Sequence, residues 1–274
     1  MRIILCLLCL LLAIPTPAPG ASAPGQADVP ADGGGAAQCP VLVYSTNPSY
    51  PPYDWVDANG RFDGASIELL KLVIPPGVAL KPLLVPWKRA LVLAEQGEID
   101  LLVSLRITPE RSRYLRFTSS QAFPNPIVVF ARKDRPFAFN SWQDLKGRRG
   151  GISSGDTFGN GFDEYWRAEL TIEEAKNMEC NFEKLEAGRI DYFVTSKYVG
   201  EAYAASRPLK HGIVVLGKPI STQGIHFGFS RHSPCAALVE QVSRRLQELD
   251  RKGLPEQLLQ KYLRRFKQRP VPQP

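Results

Sequence analysis

Residues 97–117 read GEIDLLVSLRITPERSRYLRF, and the reading of this stretch decides the fold. Gly97 can end a helix. The apolar run at residues 99–102 has the length of a strand buried in a parallel sheet. The strand is expected to end at Ser104, where polar groups begin. Thr108, Pro109 and Glu110 then form a helix start, with Thr as N-cap, Pro at the first helical position and an acid in the first turn. Arg111 therefore falls in the first helical turn, beside the carboxyl end of the strand. Open α/β sheets hold ligands at that edge. A guanidinium offers a planar fork that fits a carboxylate with two parallel hydrogen bonds. Arg111 is thus a candidate carboxylate-binding residue; the alternative is an Arg that pairs with Glu110 or caps a neighbouring loop.

The pattern of Gly97, Asp100, Ser104, Thr108, Arg111 and Phe117-Thr118 resembles the signature of the family 3 bacterial extracellular solute-binding proteins. These are the polar amino-acid receptors of ABC importers. The resemblance runs from about residue 40 to about residue 265. It implies an α/β, two-lobed periplasmic binding protein type II fold. Each lobe would be a mostly parallel sheet flanked by helices, with two hinge crossings and the ligand between the lobes.

The chain has 274 residues and a formal net charge of +7, enough length for two modest cores. The cations gather near residues 111–116 and 261–269 and are not interleaved with aromatics in a stripe. Nucleic acid is therefore not an expected partner. A bias toward small anionic molecules is.

Residues 1–23 read as a secretory signal, with Arg2, an apolar run at 3–14 and the small residues Ala21, Ser22 and Ala23 before cleavage. The run is too short to span a membrane. A periplasmic location follows as an expectation. Residues 24–39, rich in Ala, Gly and Pro, read as a flexible linker. Cys39, Cys180 and Cys235 remain in the mature chain, so an oxidising compartment permits one disulfide and one odd thiol, with the pairing open.

The loop at residues 47–55, NPSYPPYDW, resembles the family segment in which an aromatic covers the ligand. Tyr53 is the first candidate, with Trp55 and Tyr50 behind it. Helices are expected at 66–73 and 86–96, and a strand at 79–85. A strand at 124–132 is expected to leave the first lobe, with the first crossing at 133–136. The assigned segments are residues 40–131 and 222–265 for the first lobe and 132–221 for the second, with 266–274 as a disordered basic tail.

Residues 149–161, RGGISSGDTFGNG, are expected to place Ser154 to Thr157 at a helix start, where backbone N–H groups favour anions. The resemblance implies that this turn, with Asp156 and Thr157, closes over the ligand carboxylate. The same stretch is formally G-x-S-x-G, with Asp191 and His211 or His226 in the permitted order, but a nucleophile elbow needs a strained strand-to-helix turn in one large sheet, and so short a pattern arises by chance in Gly/Ser-rich loops. The segment AGRIDYFV at 187–194 matches the family's GRID strand, and the position that usually holds an acid for the ligand's ammonium is Ser196. Arg106 also departs from the pattern, since a small residue is usual there.

The expected function is a periplasmic receptor that captures a small carboxylate-bearing ligand, an amino acid, derivative or organic acid, for an inner-membrane ABC permease. Ser104, Arg106, Arg111, Asp156, Thr157 and Ser196, with Tyr53 or Trp55 over the apolar part, form the expected site. No cofactor, no metal and no catalysis are implied, and a monomer is expected. The alternatives are an enzyme on the same scaffold, resembling cyclohexadienyl dehydratases, and a periplasmic sensor component.

Overall fold

The structure is a computed structural model that describes residues 38–268; the expected signal segment and most of the linker lie outside them. In chain order the elements are β1 (Val41–Ser45), β2 (Ser49–Tyr50), β3 (Asp54–Val56), β4 (Phe62–Asp63), α1 (Ala65–Val73), β5 (Ala79–Pro82), α2 (Trp87–Glu95), β6 (Leu101–Leu105), α3 (Pro109–Tyr114) and β7 (Leu115–Phe117). Then follow β8 (Ile127–Arg132), β9 (Arg149–Ser153), α4 (Phe162–Glu169), β10 (Thr171–Ala175), α5 (Met178–Glu186), β11 (Tyr192–Ser196), α6 (Lys197–Ser206), β12 (Ile213–Ser221), β13 (His226–Ser230), α7 (Val239–Arg251) and α8 (Leu254–Lys267).

Two five-stranded sheets organise these elements. The first has the order β5-β1-β6-β13-β7 and the second β10-β9-β11-β8-β12. One strand in each runs against the rest, β13 in the first and β8 in the second. These are the strands through which the chain enters each sheet after leaving the other. The crossings are residues 118–126 and 222–225, and they pair with each other through the antiparallel bridge Phe123–Ile225. Two short connecting segments at a lobe junction, here joined by a single bridge, are where a hinge motion acts.

The central strand behaves as its apolar run requires. All five residues of β6 are buried, with parallel β1 on one side and antiparallel β13 on the other. Asp100, at its mouth, has a local task. Its carboxylate accepts from the Val43 N–H at 2.7 Å and from the Ser233 hydroxyl at 2.6 Å, joining β1 to the turn after β13. Gly97 leaves α2 at φ 81°, which only glycine adopts freely. Thr108 caps α3, and its hydroxyl accepts from the Arg111 N–H at 3.1 Å.

Cys39 and Cys235 form the disulfide, across 196 residues of sequence, and Cys180 is free. In α7, Val239, Val242, Leu246 and Leu249 are buried at helical spacing, beside Leu258, Leu259 and Tyr262 of α8 in one apolar cluster.

Several expectations are corrected. The strand at 127–132 belongs to the second sheet, so the first crossing precedes it and the boundary expected at 131/132 moves upstream. Its six buried residues fit the core of either lobe equally well. Residues 213–221, at the end of the segment assigned to the second lobe, form strand β12, and the return crossing follows it. Residues 171–175 form a strand in which two glutamates are exposed. The C-terminal helix continues to Lys267 where a frayed tail is expected, because Phe266 packs its ring on Trp55 at 5.3 Å.

Candidate functional site

The cleft is built from the carboxyl ends of β6 and β9 and from the two crossings. It holds a smaller chamber of about 30 Å³, termed the inner one for its two buried arginines, lined by Tyr50, Ser104, Arg106, Arg111, Asn125 and Asp156, among others. An outer chamber of about 280 Å³ shares Asn47, Tyr50, Trp87 and Asp156 with it.

Arg111 is 5% exposed. Its Nη1 donates to the Arg106 carbonyl at 3.3 Å and its Nη2 to the Gly155 carbonyl at 2.9 Å. The second bond crosses from the first lobe to the second. The guanidinium also lies over the Trp87 ring, 5.8 Å from its centroid. Its hydrogen bonds run to carbonyls and not to Glu110, so of the two alternatives the pair with Glu110 is not formed, while the side chain does cap the neighbouring turn at Gly155. Two carbonyl dipoles orient a buried cation without neutralising it, which leaves it suited to an anion.

Arg106 is 3% exposed. Its guanidinium donates to the Asn125 carbonyl in the first crossing and, at 3.2 Å, to Ser221 Oγ at the end of β12. One side chain from the first lobe thus joins the two. Its Nε is buried without a partner. Burial presses both guanidiniums below the usual arginine range, though a guanidinium remains charged.

Asp156 lies on the turn facing them. Burial pushes its carboxyl up to about 7, while Arg111 and then Arg106 pull it down. The turn is shaped from behind by Asp163, which accepts from the Phe158 N–H at 3.0 Å and the Gly159 N–H at 2.8 Å. Gly155 takes φ +86°, and a Cβ there would stand 3.2 Å from Trp87 Cδ1. The turn does not open a helix as expected; α4 begins at Phe162, after Gly161. Thr157 lines the chamber with its hydroxyl buried and unpartnered.

Ser104 also lines the chamber, at φ 62°, and its hydroxyl donates to Ser66 Oγ at 2.6 Å. Ser196 is fully buried, does not line either chamber, and its hydroxyl has no hydrogen-bond partner. Beneath Ser104, the buried Asp54 carboxyl is raised to about 7 by burial. The Ser104 and Thr46 hydroxyls offset only part of this, since they donate to Ser66 and the Val103 carbonyl.

The aromatic expectation is corrected. Tyr53 is fully buried, and its hydroxyl donates to the Pro124 carbonyl at 2.6 Å. Trp55 is 3% exposed and packs edge-on against Tyr262 at 5.7 Å. Both belong to the large apolar cluster that spans the two lobes, and neither lines the cleft. Tyr50 and Trp87 line it instead. In the hairpin, Tyr50 stands opposite Asp54, stacks on Tyr53 at 5.7 Å and accepts from Asn125 Nδ2 at 3.0 Å. Asn125, Lys176 and Met178 also line the cleft, and no motif in their neighbourhood marks them.

Two sheets hinged by paired crossings, with unneutralised cations in the cleft between them, define a solute-binding protein. The model of the bacterial extracellular solute-binding proteins, family 3, matches residues 42–265, and the chain belongs to that family. The ABC transporter arginine-binding protein 1 of Escherichia coli (strain K12) is 28% identical over 159 residues, which is 57% of this chain and 63% of that protein. This chain thus spans less than two thirds of that relative. The histidine-binding periplasmic protein of Salmonella typhimurium is 26% identical over 79% of this chain and 85% of its own. Among solved structures, an amino acid ABC transporter substrate-binding protein of Streptococcus pneumoniae, bound to L-arginine, superposes with TM-score 0.72 at 18% identity. That match covers 84% of this chain and 97% of the other, and shows the shared fold.

Proposed function

We propose that the protein is a periplasmic receptor that captures a small carboxylate-bearing solute between its lobes and presents it to an inner-membrane ABC permease. One observation carries this reading: Arg111 is buried in the cleft with carbonyls and no carboxylate as its hydrogen-bond partners. A ligand carboxylate would supply the missing charge, with Arg106 and Thr157 as further donors. The delivery step and the location draw support from the relatives, whose names place them in ABC transport and in the periplasm. The receptor acts as a monomer.

Capture occurs without turnover. Asp156, its carboxyl raised to about 7, is the single acid lining the inner chamber, no histidine lines it, and the Tyr50 phenol is pushed up to about 12 by burial. An acid–base pair would need a second group that titrates near neutrality beside Asp156, and the chamber lining offers none.

A melting screen tests the reading. Ligand that binds only the folded state adds about 2.7 kcal/mol at a hundredfold excess over Kd. That corresponds to a rise of roughly 2–4 °C for each kcal/mol in a chain of this size. At least one carboxylate among the L-amino acids and organic acids should give such a rise and be recovered unchanged by mass spectrometry, prephenate and arogenate included. A flat panel contradicts the receptor, and a converted substrate contradicts capture without turnover.

A further inference from the structure

Resting on that reading, we infer that the cleft selects a monocarboxylate without an α-ammonium, whose body is apolar. The inner chamber holds two guanidiniums, Arg106 and Arg111, and one acid, Asp156. Without ligand the chamber lining is positive on balance, two guanidiniums against one carboxyl. A ligand carboxylate offsets that excess. A zwitterion brings no net charge and places an ammonium beside two guanidiniums. Unneutralised charge in a closed site is costly.

The orphaned polar atoms agree. Arg106 Nε and the Thr157 hydroxyl are buried, unpartnered donors, and both residues line the chamber. They and Arg111 can serve the two oxygens of a carboxylate. The chamber, at about 30 Å³, exceeds the roughly 10–15 Å³ that one water needs. It admits a head group and little more.

The rest of the ligand must lie in the outer chamber, at about 280 Å³. Val56, Val85, Pro86, Trp87 and Met178 give it apolar walls, and Tyr50 sits at the junction with the inner chamber. Lys176 is its one lining cation, and Asp156 is again the only acid. An ammonium therefore finds no second acid there either. Aliphatic and aryl chains do fit, since burying their surface against these side chains is favourable.

Matched pairs test this by calorimetry on the purified protein: 3-phenylpropionate against L-phenylalanine, and hexanoate against L-norleucine. The members of each pair differ by the ammonium alone. The acid should bind about tenfold or more tightly in both pairs. Val85→Asp, which puts a carboxylate into the outer chamber, should weaken 3-phenylpropionate by a similar factor. Amino acids that bind as tightly as their acids overturn the exclusion of the ammonium. Succinate that binds as tightly as 3-phenylpropionate overturns the apolar body. If none of these, nor L-arginine, binds at all, the receptor reading itself falls and this inference falls with it.

Discussion

Arg111 of the first lobe donates to the Gly155 carbonyl of the second at 2.9 Å, so the residue that awaits an anion also holds the cleft shut. Ligand capture and lobe closure therefore share one side chain. A ligand that bridges the lobes shifts the population toward the closed form.

Gly155 tests that coupling from the other side. It sits at φ +86°, and an added Cβ would meet Trp87 Cδ1 at 3.2 Å. Backbone held in this region by a non-glycine residue costs about 1–3 kcal/mol. Gly155→Ala should leave each lobe folded and weaken acid binding about tenfold, since the strain falls on the closed turn. Calorimetry with the panel acid that gives the largest melting shift decides it, and unchanged affinity would show that the turn closes without this contact.

Arg106 ties the first crossing, through the Asn125 carbonyl, to the end of β12, through Ser221 Oγ. Arg106→Ser should release them, and the ligand-free protein should expand. Small-angle scattering should report a larger radius of gyration than that of the parent protein. An identical radius would mean that the bridge Phe123–Ile225 alone sets the hinge.

The Asp156 carboxyl is raised in the folded state from 3.8 to about 7, and that of Asp54 similarly. Between those values the folded chain holds more protons than the unfolded one. Stability from these two groups should therefore fall as pH rises from about 4 to about 7, and level off above. Anion affinity should fall over the upper part of the same window, because Asp156 becomes charged beside the ligand. Asp156→Asn should flatten the affinity profile and remove its own share of the stability slope, and Asp54→Asn should remove only its share of the stability slope. Urea unfolding and calorimetry at about pH 5.5 and pH 8 read the two separately. Affinity that does not fall between the two pH values would show that Asp156 does not become charged beside the ligand.

Much of this was legible in residues 97–117, because each feature there is local. A buried apolar strand, a Thr-Pro-Glu helix start and the Arg that follows depend on neighbours a few positions away. The cleft aromatics were not legible, because alternation along a hairpin does not say which face meets the core. Tyr53 bonds the Pro124 carbonyl, 71 residues on, and Trp55 meets the last helix. Asn125 enters the site only because Arg106 grips its carbonyl from 19 residues away. The disulfide pairing was open for the same reason, since it depends on Val41–Ser45 and the turn at Ser233 lying side by side.

The Cys39–Cys235 bond closes 196 residues of chain. Cross-links of this kind act chiefly on the unfolded state and typically contribute about 2–4 kcal/mol. Cys235→Ser should lower the unfolding free energy by about that much while ligand affinity holds, because neither cysteine lines the cleft. A variant of equal stability in urea would remove the disulfide from the account of the fold.

The most direct measurement is calorimetry of Arg111→Ala against the parent protein, with the panel acid that gives the largest melting shift. Removing one partner of a buried charge pair costs about 2–5 kcal/mol, or about 30-fold or more in Kd. The account predicts that loss in a variant whose circular dichroism matches the parent. An Arg111→Ala protein that binds the acid with the parent's Kd would contradict it.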